Sequence, residues 1–219
     1  AFHNQGTLDL SKFSNGEYIN PDSSSNSLAS FAKIAQAQSR FAAIYERVDD
    51  WLSVAPSLNN VQATQEDVDL DGEAEYLLFN NTTFAVLERI GGRMVGAWVR
   101  DPATGRAYQT IGNHLSAAGT ETEEEGFYNV SSNGVIGAYR TSALKDWWAG
   151  TSQYVNDLYT FSAVSNGWQI SSSDGKIQKT IVLPPNSGWY DVAYNVNNSL
   201  NGGTLYVRNG FSPNLFNLL

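Results

Sequence analysis

The sequence predicts a mainly β protein, an antiparallel β-sandwich preceded by one long N-terminal α-helix. Three features of the chain point that way. From Tyr154 onward, short apolar or alternating runs are separated by glycine-bearing turns: Ser165-Asn166-Gly167, Ser172-Ser173-Asp174-Gly175, Pro184-Pro185-Asn186-Ser187-Gly188 and Asn197 to Gly202. That rhythm is the signature of antiparallel hairpins closing a sandwich. Between Ser27 and Leu52, the apolar residues Leu28, Phe31, Ile34, Ala35, Phe41, Ala42, Ile44, Tyr45, Val48, Trp51 and Leu52 recur at spacings of three and four, the period of one amphipathic helix. The 219 residues are enough to bury a substantial core, and sandwiches of this size commonly fold as one domain.

Taken in order, Ala1 to Ser25 is polar and turn-rich and reads as a loop packed on a larger body. The helix follows, capped by Asn26 or Ser27 and stopped near Ser53 or Ala55-Pro56. Residues 1–57 are thus loop and connector helix, and 58–219 the sandwich. Tyr76-Leu77-Leu78-Phe79 and Phe84-Ala85-Val86-Leu87 flank Asn80 to Thr83 and predict a hairpin. Gly91-Gly92 predicts a turn or bulge with close backbone approach before a strand over Met94 to Val99. Asp101 to Gly105 is a turn and Arg106 to Ile111 a strand. Gly112 to Gly126 is a polar insertion carrying His114 and the acids Glu121, Glu123, Glu124 and Glu125, whose mutual repulsion suits a solvated loop. Gly134 to Tyr139 reads as a strand, and Thr141 to Trp148 as a turn or single helical turn. Strands are expected over 154–164, 168–171, 177–183, 189–196 and 203–208.

Composition removes several function classes. The net charge is −9, with 13 Lys plus Arg scattered among 22 Asp plus Glu, so no basic stripe exists to neutralise phosphates or an anionic membrane surface. Without cysteine there is no disulfide, thiolate metal site or cysteine nucleophile. No stretch approaches the roughly 18 apolar residues of a transmembrane helix. The low lysine content, 19 glycines and many Asn, Ser and Tyr suit a secreted or extracellular protein, and Asn80, Asn81, Asn129 and Asn197 sit in N-x-Ser/Thr sequons. No P-loop, Gly-x-Ser-x-Gly elbow, His-Glu-x-x-His or Rossmann glycine pattern occurs, and the neighbourhoods of His3 and His114 do not suit a serine triad. A glycosidase carboxylate pair stays open, because its separation belongs to the fold.

Two groups of residues carry chemistry. Asp67, Asp69 and Asp71 alternate ahead of Gly72, a spacing that lets three carboxylates converge on a hard cation such as calcium. The back half of an EF-hand-type loop is missing, since its twelfth position is Leu78, so Glu73 or Glu75 has to supply the further ligand, and Glu75 completes the candidate set. The same spacing also suits a solvated acidic turn ahead of a strand. Trp147 and Trp148 are adjacent indoles that can offer a platform to pyranose C–H faces or plug the end of a sandwich. With Trp98 and Trp189 they form the candidate carbohydrate-binding set.

The succession of an Asp-x-Asp-Gly turn, "EYLLFNN" and "GGRMVGAW" across Glu66 to Asp101 is similar to the opening of the β-sandwich that follows the catalytic barrel in glycoside hydrolase family 57 amylases and glucanotransferases. "AFHN" at the start, the helical pattern Arg40, Tyr45, Trp51, and "DGKIQKTIVL" later in the chain resemble the same proteins. The resemblance implies a galactose-mutarotase-like supersandwich, with the barrel and its catalytic carboxylates upstream of this chain. It further implies a non-catalytic portion or subunit that supports the barrel, holds structural calcium and contacts α-glucan. A free-standing lectin-like polysaccharide-binding protein and a complete mutarotase-like enzyme are the alternatives. The apolar tail residues Leu215, Phe216, Leu218 and Leu219 are expected to pack against a second polypeptide or the remainder of a larger protein.

Overall fold

The computed structural model describes the side chains of residues 39–70, 72–112, 142–149, 154–155, 157–197 and 203–211, and the backbone of 13–14, 17–18, 30–38, 130–131 and 134–135. The segment with helical period forms α1 (Ser30–Val54), followed by a 3-10 turn over Ala55–Ser57. Pro56 lacks the N–H that another α-turn would use, which stops the helix there. The proposed capping residues Asn26 and Ser27 lie outside the described residues. Phe41, Ile44, Val48, Trp51 and Ala55 form one buried stripe at spacings of three and four.

Fifteen strands are described: β1 (Phe13–Ser14), β2 (Glu17–Tyr18), β3 (Gln62–Glu66), β4 (Glu75–Phe79), β5 (Thr83–Glu88), β6 (Arg93–Arg100), β7 (Ala107–Ile111), β8 (Val130–Ser131), β9 (Gly134–Val135), β10 (Lys145–Trp148), β11 (Tyr159–Val164), β12 (Gly167–Ser172), β13 (Ile177–Val182), β14 (Asp191–Val196) and β15 (Leu205–Arg208). Strands β3 to β7 form one sheet in chain order and β11 to β14 another, while β10 pairs with β15. All of these pairings are antiparallel. The short ribbons β1–β2 and β8–β9 stand apart in the pairing.

Burial divides the five-stranded sheet into two faces. Leu78, Ala85, Leu87, Met94 and Ala97 join Tyr159, Trp168, Ile170, Ile177 and Ile181 of the second sheet in one core, which makes the sandwich. Leu77, Phe79, Phe84, Val86, Val95 and Trp98 pack on the opposite face beneath Phe41, Ile44, Val48 and Trp51 of α1. The order of layers is helix, sheet, sheet, and apolar packing continues across the 57/58 boundary. Burial on both faces is why β4 and β5 read as unbroken apolar runs instead of alternating ones.

Polar bonds stitch these layers. Trp51 Nε1 donates to Asn80 O at 2.7 Å, fixing α1 to the β4–β5 turn. Asn80 Oδ1 accepts from the N–H groups of Thr82 and Thr83 while its Nδ2 donates to Ser187 O, so this sequon asparagine is buried and committed. Between the sheets, Trp168 Nε1 donates to Leu77 O at 3.0 Å, and Tyr76 stacks on Phe161 with ring centroids 3.8 Å apart.

At the heart of the sandwich, Lys179 forms a fully buried ion pair with Asp146 at 2.5 Å and donates to the carbonyls of Gly91, Gly92 and Leu144. Tyr194 and Tyr159 hydroxyls donate to the two Asp146 oxygens at 2.9 and 3.4 Å. Burial pushes the Asp146 carboxyl up and the Lys179 ammonium down, each opposed by the charge of the other. The expected close approach at Gly91-Gly92 is present. Both residues have positive φ, and a Cβ would lie 2.5 Å from Val155 O at Gly91 and 2.8 Å from the Tyr159 ring at Gly92.

Two elements differ from expectation. Lys145–Trp148 is a strand, because its partner β15 lies some sixty residues further on and pairs it in register from Lys145↔Arg208 to Trp148↔Leu205. Strand β3 is polar, half-exposed and at the sheet edge, so it lacks the apolar alternation by which strands are recognised. The acidic insertion from position 113 onward, both histidines and the tail 212–219 lie outside the described residues.

Candidate functional site

The first candidate site is the bend between β3 and β4. Glu66↔Glu75 closes that ladder, and residues 67–74 form the loop it holds. One carboxylate oxygen each from Asp67, Asp69 and Glu75 lies within 4.8 Å of the others. Ligands about 2.3–2.6 Å from one ion are at most about 5 Å apart, so this spacing is compatible with one shared calcium-sized ion. Glu75 holds its place by accepting from Val68 N at 2.7 Å and Asp69 N at 3.4 Å, and Asp67 accepts from Gly72 N at 3.1 Å. The turn inward is made at Leu70 and Gly72, with φ of 64° and 93°. Left-handed backbone at an exposed leucine is strained by roughly 1–2 kcal/mol, which a bend free of constraint would relax. Asp71 lies outside the described residues, Glu73 is exposed, and Leu78 belongs to the core.

Arg40 of α1 reaches this bend, with Nη1 3.8 Å from Asp69 Oδ2. Asp69 and Glu75 are buried, so the like charges are poorly screened.

The four tryptophans are dispersed. Trp98 is 3% exposed and packs edge-on to Tyr45 and Phe84 beneath α1. Trp147 is 6% exposed, stacks on Tyr206 at 5.4 Å, and its buried Nε1 has no hydrogen-bond partner among the described residues. Trp148 is half-buried. As neighbours on β10, Trp147 and Trp148 project to opposite faces, so they cannot form the joint platform that adjacency suggested.

Trp189 differs, being 62% exposed. It stands at a cleft of about 510 Å³ whose walls include Ala97, Val99 and Ile111 from one sheet and Val192 and Tyr194 from the other. Its turn is pinned: Ser187 Oγ shares its proton between Pro184 O at 2.8 Å and Trp189 O at 3.0 Å, Asn80 Nδ2 donates to Ser187 O, and Asn81 Nδ2 donates to Asn186 Oδ1. Thr83 and Tyr190 also border it, their hydroxyls 2.9 Å apart and Thr83 Oγ1 already donating to Trp98 O. Sequence reasoning missed Tyr190, Tyr194 and Phe211, which line the same cleft. Tyr194 lies on the edge strand β14, Tyr190 just before it and Phe211 beyond β15, so no single local pattern joins them.

No protein-family model matches this chain, and no curated protein matches it. Among solved structures it is similar to a 4-alpha-glucanotransferase from Thermococcus litoralis, at 15% identity and a TM-score of 0.41 over 65% of this chain and 25% of that one. The chain therefore spans about a quarter of that protein, and the likeness is distant.

Proposed function

We propose that this chain is a non-catalytic, carbohydrate-associated β-sandwich module that contacts saccharide through Trp189 and is stiffened by calcium at Asp67, Asp69 and Glu75. The observation that carries the saccharide reading is the exposed indole of Trp189, held on a pinned turn beside a cleft. An indole face takes the C–H side of a pyranose, and a rigid plate loses little entropy on binding. The cleft lies in the range of about 300–1,000 Å³ usual for ligand sites. α-Glucan is the saccharide class named by the resemblance of Glu66 to Asp101.

Titration with maltotriose followed by tryptophan fluorescence tests this reading. Saturable quenching is expected for the native chain, and Trp189→Ala should weaken binding about tenfold or more, as loss of an anchoring aromatic does. The exposed position limits the stability cost of that change to about 0.5 kcal/mol, so folding does not confuse the result. Equal affinity in the two proteins would remove Trp189 from the site.

The cation has its own test. Calcium at a hundred times its dissociation constant should add about 2.7 kcal/mol of stability, which is several degrees in melting temperature at about 2–4 °C per kcal/mol. Asp69→Asn should abolish the response. A melting temperature that is the same in calcium and in chelator would leave the bend as an Arg40 clamp only.

A further inference from the structure

We infer that a notch between α1 and the β6–β7 edge is a second pyranose-binding site, built on Tyr45, Asp49 and Gln109. The inference rests on the carbohydrate reading for its ligand class, but on different residues. The notch has a volume of about 320 Å³, with Val48, Leu52 and Ala107 among the residues around it. Tyr45 is 45% exposed, an unusual state for an aromatic on the packed side of a helix.

Its ring is nevertheless held still. The Tyr45 hydroxyl donates to Gln109 Oε1 at 2.6 Å, and Gln109 Nε2 donates in turn to Ile111 O at 3.1 Å. Phe41 and Trp98 meet the ring edge-on at 5.5 and 5.9 Å, with interplanar angles of 71° and 81°. Two buried aromatics and a buried amide thus fix an exposed plate. Trp98 supports that plate from within, which gives a carbohydrate-set tryptophan a positioning role despite its burial.

Asp49 lies one helical turn after Tyr45, on the same side of α1. Its carboxylate is exposed, lines the notch and makes no ion pair or hydrogen bond among the described residues. A flat apolar face beside an acceptor for two neighbouring hydroxyls is the complement of a pyranose ring. Trp98 and Ala97 are adjacent on β6, the first in the core under α1 and the second in the sandwich core. The notch and the Trp189 cleft therefore lie on opposite faces of the five-stranded sheet and should fill independently.

The experiment is a maltotriose titration followed by backbone amide NMR. Two sets of resonances should move, 45–52 with 107–109, and 188–192. Asp49→Asn, an isosteric change at an exposed position, should weaken binding at the first set about tenfold and leave the second unchanged, while Trp189→Ala should do the reverse. Tyr45→Phe keeps the plate but unlocks it, and should weaken the first set by a smaller factor. Movement confined to 188–192 overturns the notch and leaves the saccharide reading standing; movement confined to 45–52 and 107–109 upholds the notch and removes Trp189. Silence at both sets overturns both. A response of the first set to tetramethylammonium but not to maltotriose assigns the notch to cations and overturns the proposal.

Discussion

Lys179→Met should destabilise the protein by about 3–5 kcal/mol at neutral pH, because it strands a buried carboxylate without its counter-charge. Asp146 would keep two tyrosine hydroxyls but lose the ammonium 2.5 Å away. The carbonyls of Gly91, Gly92 and Leu144 would lose a donor at the same time. The deficit should depend on pH with a definite sign. Asp146 is already raised by burial, and without Lys179 it rises further. Between the ordinary carboxylate value of about 3.9 and that raised value, the folded variant binds more protons than the unfolded chain. Stability is therefore retained below about pH 4 and lost as pH rises through the folded pKa. Urea unfolding at pH 5 and pH 8 should show the variant closer to the native protein at pH 5. An equal deficit at both would mean that Asp146 carries no unpaired charge in the variant.

Trp168→Ala should cost about 3–5 kcal/mol, in line with other large aromatic-to-alanine changes in cores. Trp168 is buried from β12 into the sandwich, stands edge-on to Tyr76 at 5.2 Å and donates across the sheets to Leu77 O. Its removal opens a cavity and breaks one of the bonds that tie the two sheets together. Trp168→Phe separates these effects by keeping most of the volume, and should cost about 1 kcal/mol for the lost hydrogen bond beyond the small change in packing. A loss below about 1 kcal/mol for the alanine variant would show that the sheets do not depend on this contact for their packing.

Much of this architecture is visible in the residues. The apolar runs at Tyr76 to Phe79 and Phe84 to Leu87 are strands, the period of three and four is α1, and Gly91-Gly92 marks a close approach. In Lys176 to Leu183 the inward phase is Ile177, Lys179, Ile181, so a lysine in a core register was on view. What it meets was not, since Asp146 lies on a strand whose partner β15 is remote in sequence. The same long-range pairing hid the fact that Trp147 and Trp148 face apart. At the acidic bend, the convergence of Asp67 and Asp69 follows from spacing, while the choice of Glu75 over Glu73 depends on how β4 pairs with β3. The reach of Arg40 into that bend depends on how α1 docks, which no local pattern encodes. Tryptophan exposure behaves likewise: Trp98 and Trp189 look alike in the chain, and only the layers decide that one is buried under a helix and the other left 62% exposed.

The central claim is that this sandwich holds saccharide, and electrophoresis of the native chain through a non-denaturing gel cast with amylopectin tests it most directly. The expected result is retarded migration relative to a glucan-free gel, relieved by free maltotriose. Identical mobility in the two gels would contradict it.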